Sequence, residues 1–177
     1  MLMTILVLVA CNTCSKDNST QISTLAPTAT PVPLALLTCD ETLWAPTYSR
    51  DRLKVLSTCE RETGVVMFVE LEYDGDMTID IKPPTNRLLL PGNKLVDAPG
   101  CGLEGCLHIE VPCQGPVNSR VQPDADGTCN SFAGEKITPP QLGDTVEAAA
   151  HWVADLRHSS WAELHGAKVR VLEHAKQ

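Results

Sequence analysis

Gly64-Val65-Val66-Met67-Phe68-Val69-Glu70-Leu71-Glu72-Tyr73-Asp74-Gly75-Asp76-Met77-Thr78-Ile79-Asp80-Ile81-Lys82 is the stretch on which the fold turns. Val65, Met67, Val69, Leu71 and Tyr73 recur at every second position, so an extended chain puts them on one face. Asp74-Gly75 then offers a two-residue hairpin turn, because glycine accepts positive φ at no steric cost. Beyond it Met77, Ile79 and Ile81 alternate with Thr78, Asp80 and Lys82. Two antiparallel strands joined by a tight turn are predicted.

Working outward, Leu107, Ile109 and Val111 alternate with His108 and Glu110 and predict a third strand. Asp144 to Ala154 predicts a fourth, with Val146, Ala148, Ala150 and Trp152 together, although its run of alanines also suits a helix. Trp161 to Leu172 predicts a fifth, with Ala167, Val169 and Val171 on one side. Upstream, Asp51 to Leu56 reads as a short helical or extended lead-in. The expected fold class is all-β: five strands, with the widest break between the third and fourth, in the order of an OB-like barrel with long disulfide-bridged loops. A five-stranded sandwich is the alternative.

A chain of 177 residues holds one ordinary domain plus a tail. Its 22 acidic residues outnumber 14 basic ones, giving a formal charge of −8 with no basic cluster. Proteins that grip phosphate backbones present Lys and Arg to displace counterions, so no nucleic-acid partner is expected. Lys16 and Asp17 cancel, which leaves the acidic excess to the domain. Glu70, Glu72, Asp80 and Glu110 fall on the outward side of the predicted strands, where they steer a basic partner or simply keep the domain soluble.

Cysteines stand at 11, 14, 39, 59, 101, 106, 113 and 129. Only Cys11-Asn12-Thr13-Cys14 has the spacing of a metal knuckle, and no second knuckle accompanies it. Disulfides in an oxidising compartment are the expected use. Short loops favour Cys101–Cys106 and Cys113–Cys129, which leaves Cys39–Cys59; Cys14 is then free or joined to another chain.

Met1 to Ala10 is apolar but shorter than the ~20 residues of a membrane-spanning helix, and it matches the core of a signal peptide. Leu8-Val9-Ala10-Cys11 resembles a bacterial lipobox. That resemblance implies cleavage before Cys11, lipid on it, and anchorage at the extracytoplasmic face of the cell membrane. A hydrophobic strand carrying a chance cysteine is the competing reading. The Ser/Thr/Pro-rich segment that follows cannot bury a core and predicts a disordered tether. The expected organisation is a signal peptide over 1–10, a lipidated linker over 11–38 and the domain over 39–177.

The ending Pro140-x-x-Gly143-Asp144-x-Val146 … Trp152-Val153-x-Asp155-x-x-His158-x-x-Trp161-x-Glu163-x-His165 resembles a family of prokaryotic extracytoplasmic proteins with an uncharacterised OB-like domain. Cys59 with Gly64, then Asp74-Gly75-Asp76, match the same pattern. Gly166 departs from it, standing where proline is usual, and Ser159-Ser160 lengthens the turn before Trp161. The resemblance implies fold and compartment and no reaction.

Glu163 and His165, two apart on a strand, point the same way beside Trp161, and with His158 they offer three ligands to a metal or other ligand. Hydrogen bonding to loop backbone is the structural alternative. Asp74-Gly75-Asp76 is similar to a motif of staphylococcal-type nucleases, but the Arg-rich and Pro-Glu segments of those enzymes are missing and a hairpin turn explains it. No nucleophile elbow, phosphate loop or dinucleotide fingerprint is present, so no catalytic residue is assigned and no cofactor is expected. The expected function is a lipid-anchored binding or interaction module, a peripheral accessory subunit contacting another protein or membrane complex. The rival is a metal-dependent hydrolase using Asp76, Glu163 and His165.

Overall fold

Backbone pairing gathers the alternating segments into a ring. The computed structural model describes residues 35–176, apart from 97, 126, 130, 131 and 133. The expected signal peptide, Cys11, Cys14 and most of the expected tether therefore lie outside the described residues. The strands are β1 (Leu53–Leu71), β2 (Met77–Lys82), β3 (Leu107–Val111), β4 (Thr145–Asp155) and β5 (Trp161–Glu173). They form one mixed sheet in the order β1-β2-β3-β5-β4, closed back onto β1. Only β3 and β5 run parallel. One α-helix, α1 (Glu41–Trp44), is found among the described residues, and Asp40 caps it by accepting from Thr42 N at 3.0 Å. No helix there is long and apolar enough to cross a membrane.

The interior is filled by every second residue of the inner faces. Met77, Ile79, Ile81, Leu107, Ile109 and Leu164 are fully buried, joined by Ala148 and Ala150 of β4. Each large side chain contributes roughly 1.5–3 kcal/mol by leaving water. The alanines of β4 thus serve a strand, where their small size lets it pack closely on both faces.

β1 is longer than expected, beginning at Leu53 where a lead-in was predicted. Lys54, Val55 and Leu56 are all exposed, so this half of β1 lacks the alternation that marks a half-buried strand. Pairing with β4 holds it in place. A register shift between Val66 and Phe68 also breaks the predicted face of β1. Val66 and Val69 pack on the core, while Met67 and Phe68 join a second apolar cluster with Val96, Ala98, Cys101, Cys106 and Trp161.

The turn differs from the expected two-residue form. Gly75 N donates to Glu72 O at 3.1 Å and Glu72 N donates to Asp76 O at 2.8 Å, with Gly75 at φ 96°. This is a three-residue loop, Tyr73-Asp74-Gly75, closed by a glycine bulge. A side chain at Gly75 would also come within 3.1 Å of Gly115 O. Gly75→Val is expected to destabilise the domain by about 1–3 kcal/mol, read as a lower urea midpoint.

The bridges are Cys39–Cys59, Cys101–Cys106 and Cys113–Cys129, the pairs that loop length and elimination select. The first ties the α1 segment to β1. The second closes the loop between β2 and β3. The third closes the irregular segment after β3, which docks on the hairpin loop through Gly115 N to Gly75 O (2.8 Å) and Asn118 N to Tyr73 O (2.7 Å).

Candidate functional site

Strand register assembles a polar lattice on the outer face of the ring. Thr78 pairs with Glu110, Glu110 with His165, and His165 with His151. One step along, Asp80 pairs with His108 and His108 with Glu163. Because Ile79, Ile109 and Leu164 point inward, all of these point outward. None is left to solvent: Asp80 is 4% exposed, Glu110 8%, Glu163 0% and His165 2%.

Two covers bury them. The loop between β2 and β3 packs Val96, Ala98, Cys101 and Cys106 in a second apolar cluster with Trp161, whose ring lies 5.3 Å from His108 and whose N–H donates to Glu163. Asn93 fastens this loop, accepting from Leu90 N and Ala162 N and donating to Cys106 O and Ala162 O at 2.7–2.9 Å. On the other side Trp44 stacks on His151 at 4.4 Å and meets His165 edge-on at 5.7 Å. Gly166 lets α1 approach, since a Cβ there would lie 2.9 Å from Leu43 O.

Gly166, at φ 73°, also breaks the alternation of β5. Had β5 kept register, Glu163 and His165 would share a face with Val169 and Val171. Ala162 and Leu164 face the core before the glycine, and Ala167, Val169 and Val171 face it after. Glu163 and His165 therefore stand outside the interior of the ring, under α1 and the loop.

The side chains bond mainly to one another. His108 Nδ1 lies 2.7 Å from Asp80 Oδ1 and Nε2 lies 3.1 Å from Glu110 Oε1. Burial alone would lower the His108 pKa, but the two carboxylates outweigh it and hold the imidazole well above its ordinary value. Trp161 Nε1 donates to Glu163 Oε1 at 2.5 Å, and His165 Nδ1 lies 3.2 Å from Glu163 Oε2. Burial pushes Glu163 up, yet the His165 hydrogen bond, the neighbouring imidazoles and Trp161 bring it down to about 2. Burial likewise opposes ionisation of Glu110, and its bond to His108 reverses that. The Glu110 charge, after burial itself, then raises Glu72, Asp74 and Asp76.

Of the residues singled out in the sequence, Glu163 is the hub. It shares one group of ligand atoms, all within 4.8 Å, with Glu110 and His165, and another with Asp155 and His158. His158 and His165 thus belong to separate groups around it. His158 stacks on Trp161 at 4.9 Å and is held by Asp155, whose oxygens also pair with Arg52 and cap Arg157 N. Asp76 stands apart: its carboxylate accepts from Cys113 N at 2.7 Å, and its nearest candidate ligands are disulfide sulfurs. The set Asp76, Glu163 and His165 is not gathered.

The acidic face is corrected too. Glu70 is exposed and Glu72 half-buried, but Asp80 and Glu110 are buried beneath the covers. Sequence reasoning placed Asp80, His108 and Glu110 on the outer face and left them in solvent. Their alternation with apolar neighbours marked the face; only the covering loop marks the burial. A cavity of about 820 Å³ between α1, β5 and the segment after β3 is lined by Leu43, Pro46, Val111, Ile137 and Val169 and touches none of this lattice.

No family model, curated protein or solved structure matches the chain.

Proposed function

We propose that this protein is an extracytoplasmic interaction module, anchored by lipid on Cys11 and built on an OB-like barrel, that docks as an accessory subunit on another protein at the membrane. The closed five-stranded order with one parallel pair favours that barrel. Three disulfides suit an oxidising compartment, and the tether suits a domain held off a surface. The likeness to extracytoplasmic proteins with a closing Trp-x-Glu-x-His strand favours the same location.

One observation carries the interaction reading. Asp80, His108, Glu110, Glu163 and His165 are buried under two covers and out of a protein partner's reach, while the side chains offered to solvent at the end of β1 are of the kind that anchor partners. Leu71 is 53% exposed and Tyr73 is 58% exposed, beside the exposed Glu70. Tyr73 sits in the β1–β2 loop, one of the loops through which OB-folds meet ligands, a step that is fold-level analogy. Tyrosine is also enriched among the few residues that dominate interface energies.

Cross-linking and purification of the full chain from its native membranes is expected to recover a discrete partner. A Glu70→Lys/Tyr73→Ala variant should lower that recovery about tenfold. Mass spectrometry of the same preparation should find a diacylglyceryl group on Cys11. Equal recovery with the variant rejects this surface, and an intact, unmodified Met1 rejects the anchor.

A further inference from the structure

Around Glu163 the outer-face lattice holds a ligand atom that its own hydrogen bonds do not use up. Asp80, Glu110 and Glu163 lie around the imidazoles of His108 and His165, and His158 also comes close to Glu163. His165 has Nδ1 against Glu163, while its buried Nε2 has no hydrogen-bond partner among the described residues. Buried polar atoms are ordinarily partnered, so an orphaned nitrogen on an imidazole ring grouped with two buried carboxylates points to a cation ligand.

We propose that Glu110, Glu163 and His165 form a binding site for one divalent transition-metal ion of the zinc type, a role that goes beyond docking on a partner. Ligand atoms of the three lie within 4.8 Å of one another. A tetrahedral ion spaces its donors about 3.4 Å apart, a contraction that small side-chain rotations supply. Mixed imidazole and carboxylate donors suit zinc better than calcium or magnesium, which prefer oxygen alone.

The surroundings already orient the donors as an outer shell does. His108, itself held by Asp80, fixes Glu110 at 3.1 Å. Trp161 fixes Glu163 Oε1 at 2.5 Å, and Trp44 packs edge-on against His165. Such partners set ligand direction before a metal arrives. The neighbouring group of Asp155, His158 and Glu163 is less suited. The Asp155 oxygens are already taken by Arg52, by His158 and by the N–H groups of Arg157 and His158, and His158 is exposed.

The test is calorimetric titration of the full chain with Zn²⁺ after chelator treatment. One ion per chain is expected. Glu110→Gln and Glu163→Gln should each weaken binding about 100-fold or more, while His158→Ala leaves it within about threefold. Zn²⁺ should raise the Tm of the wild type and leave that of Glu110→Gln unchanged. Should a glutamine variant not fold, the wild type loaded with Co²⁺ gives the reading: visible bands of a four-coordinate ion are expected, and their absence overturns the proposal. No saturable Zn²⁺ binding, binding untouched by Glu110→Gln in a folded variant, or binding lost with His158→Ala overturns it equally.

Discussion

Replacing His108 with alanine is expected to destabilise the domain by about 3–5 kcal/mol, because it strips the counter-charge from two buried carboxylates at once. Asp80 and Glu110 are 4% and 8% exposed, and each bonds to one nitrogen of the ring. The pH dependence gives this a sign. The folded state holds the His108 proton more tightly than an unfolded chain does. Its contribution is therefore fully present below the unfolded value of about 6.5 and is lost as pH rises through the raised folded value. Urea unfolding of metal-free protein across that window should show stability falling with pH in the wild type. In His108→Gln, which cannot take up a proton there, the fall should be missing. Equal slopes in both would mean that the ring bonds to its carboxylates while neutral. Glu163 acts in the opposite sense: with its pKa lowered to about 2, its contribution is present above about 4.3 and lost as pH falls towards 2.

Asn93→Ala is expected to cost about as much, roughly 3–5 kcal/mol, through neutral hydrogen bonds alone. The side chain is fully buried and uses both donors and two acceptor positions, all on backbone groups of the loop, of β5 and of the residue just before β3. Alanine leaves Leu90 N, Ala162 N, Cys106 O and Ala162 O to find new partners in a site built around the amide. Asn93→Asp separates the two halves of the effect, since a carboxylate still accepts twice but cannot donate to Cys106 O or Ala162 O. Both variants should lower the urea midpoint, with alanine the more damaging. If Asn93→Ala keeps the wild-type midpoint, the loop is held by its apolar cluster and Cys101–Cys106, and Asn93 is incidental.

Both predictions concern the same covering loop, and that loop divides what could be read early from what could not. Period-two alternation was enough to place β2, β3, β4 and β5, because each has one face buried in a common core. Loop length was enough for the local bridges, Cys101–Cys106 and Cys113–Cys129, and elimination supplied Cys39–Cys59. The Trp161-x-Glu163-x-His165 spacing already put the acid and the imidazole side by side. Alternation reports only which face a residue occupies. It cannot report an added residue that reverses the faces, as happens near Met67 and at Gly166, since a bulge leaves composition unchanged. Nor can it say what lies over the outer face. Asp80, His108 and Glu110 looked like solvated polar positions, and their burial depends on a loop that Asn93 pins to Ala162, 69 residues away. The sequence alone therefore determined that five strands exist, the core faces of β2, β3 and β4, and the two local bridges, all of which follow from local spacing. The buried network of Asp80, His108, Glu110, Glu163 and His165 was decided by tertiary structure, because it comes from three strands and becomes a site only when two distant segments close over it.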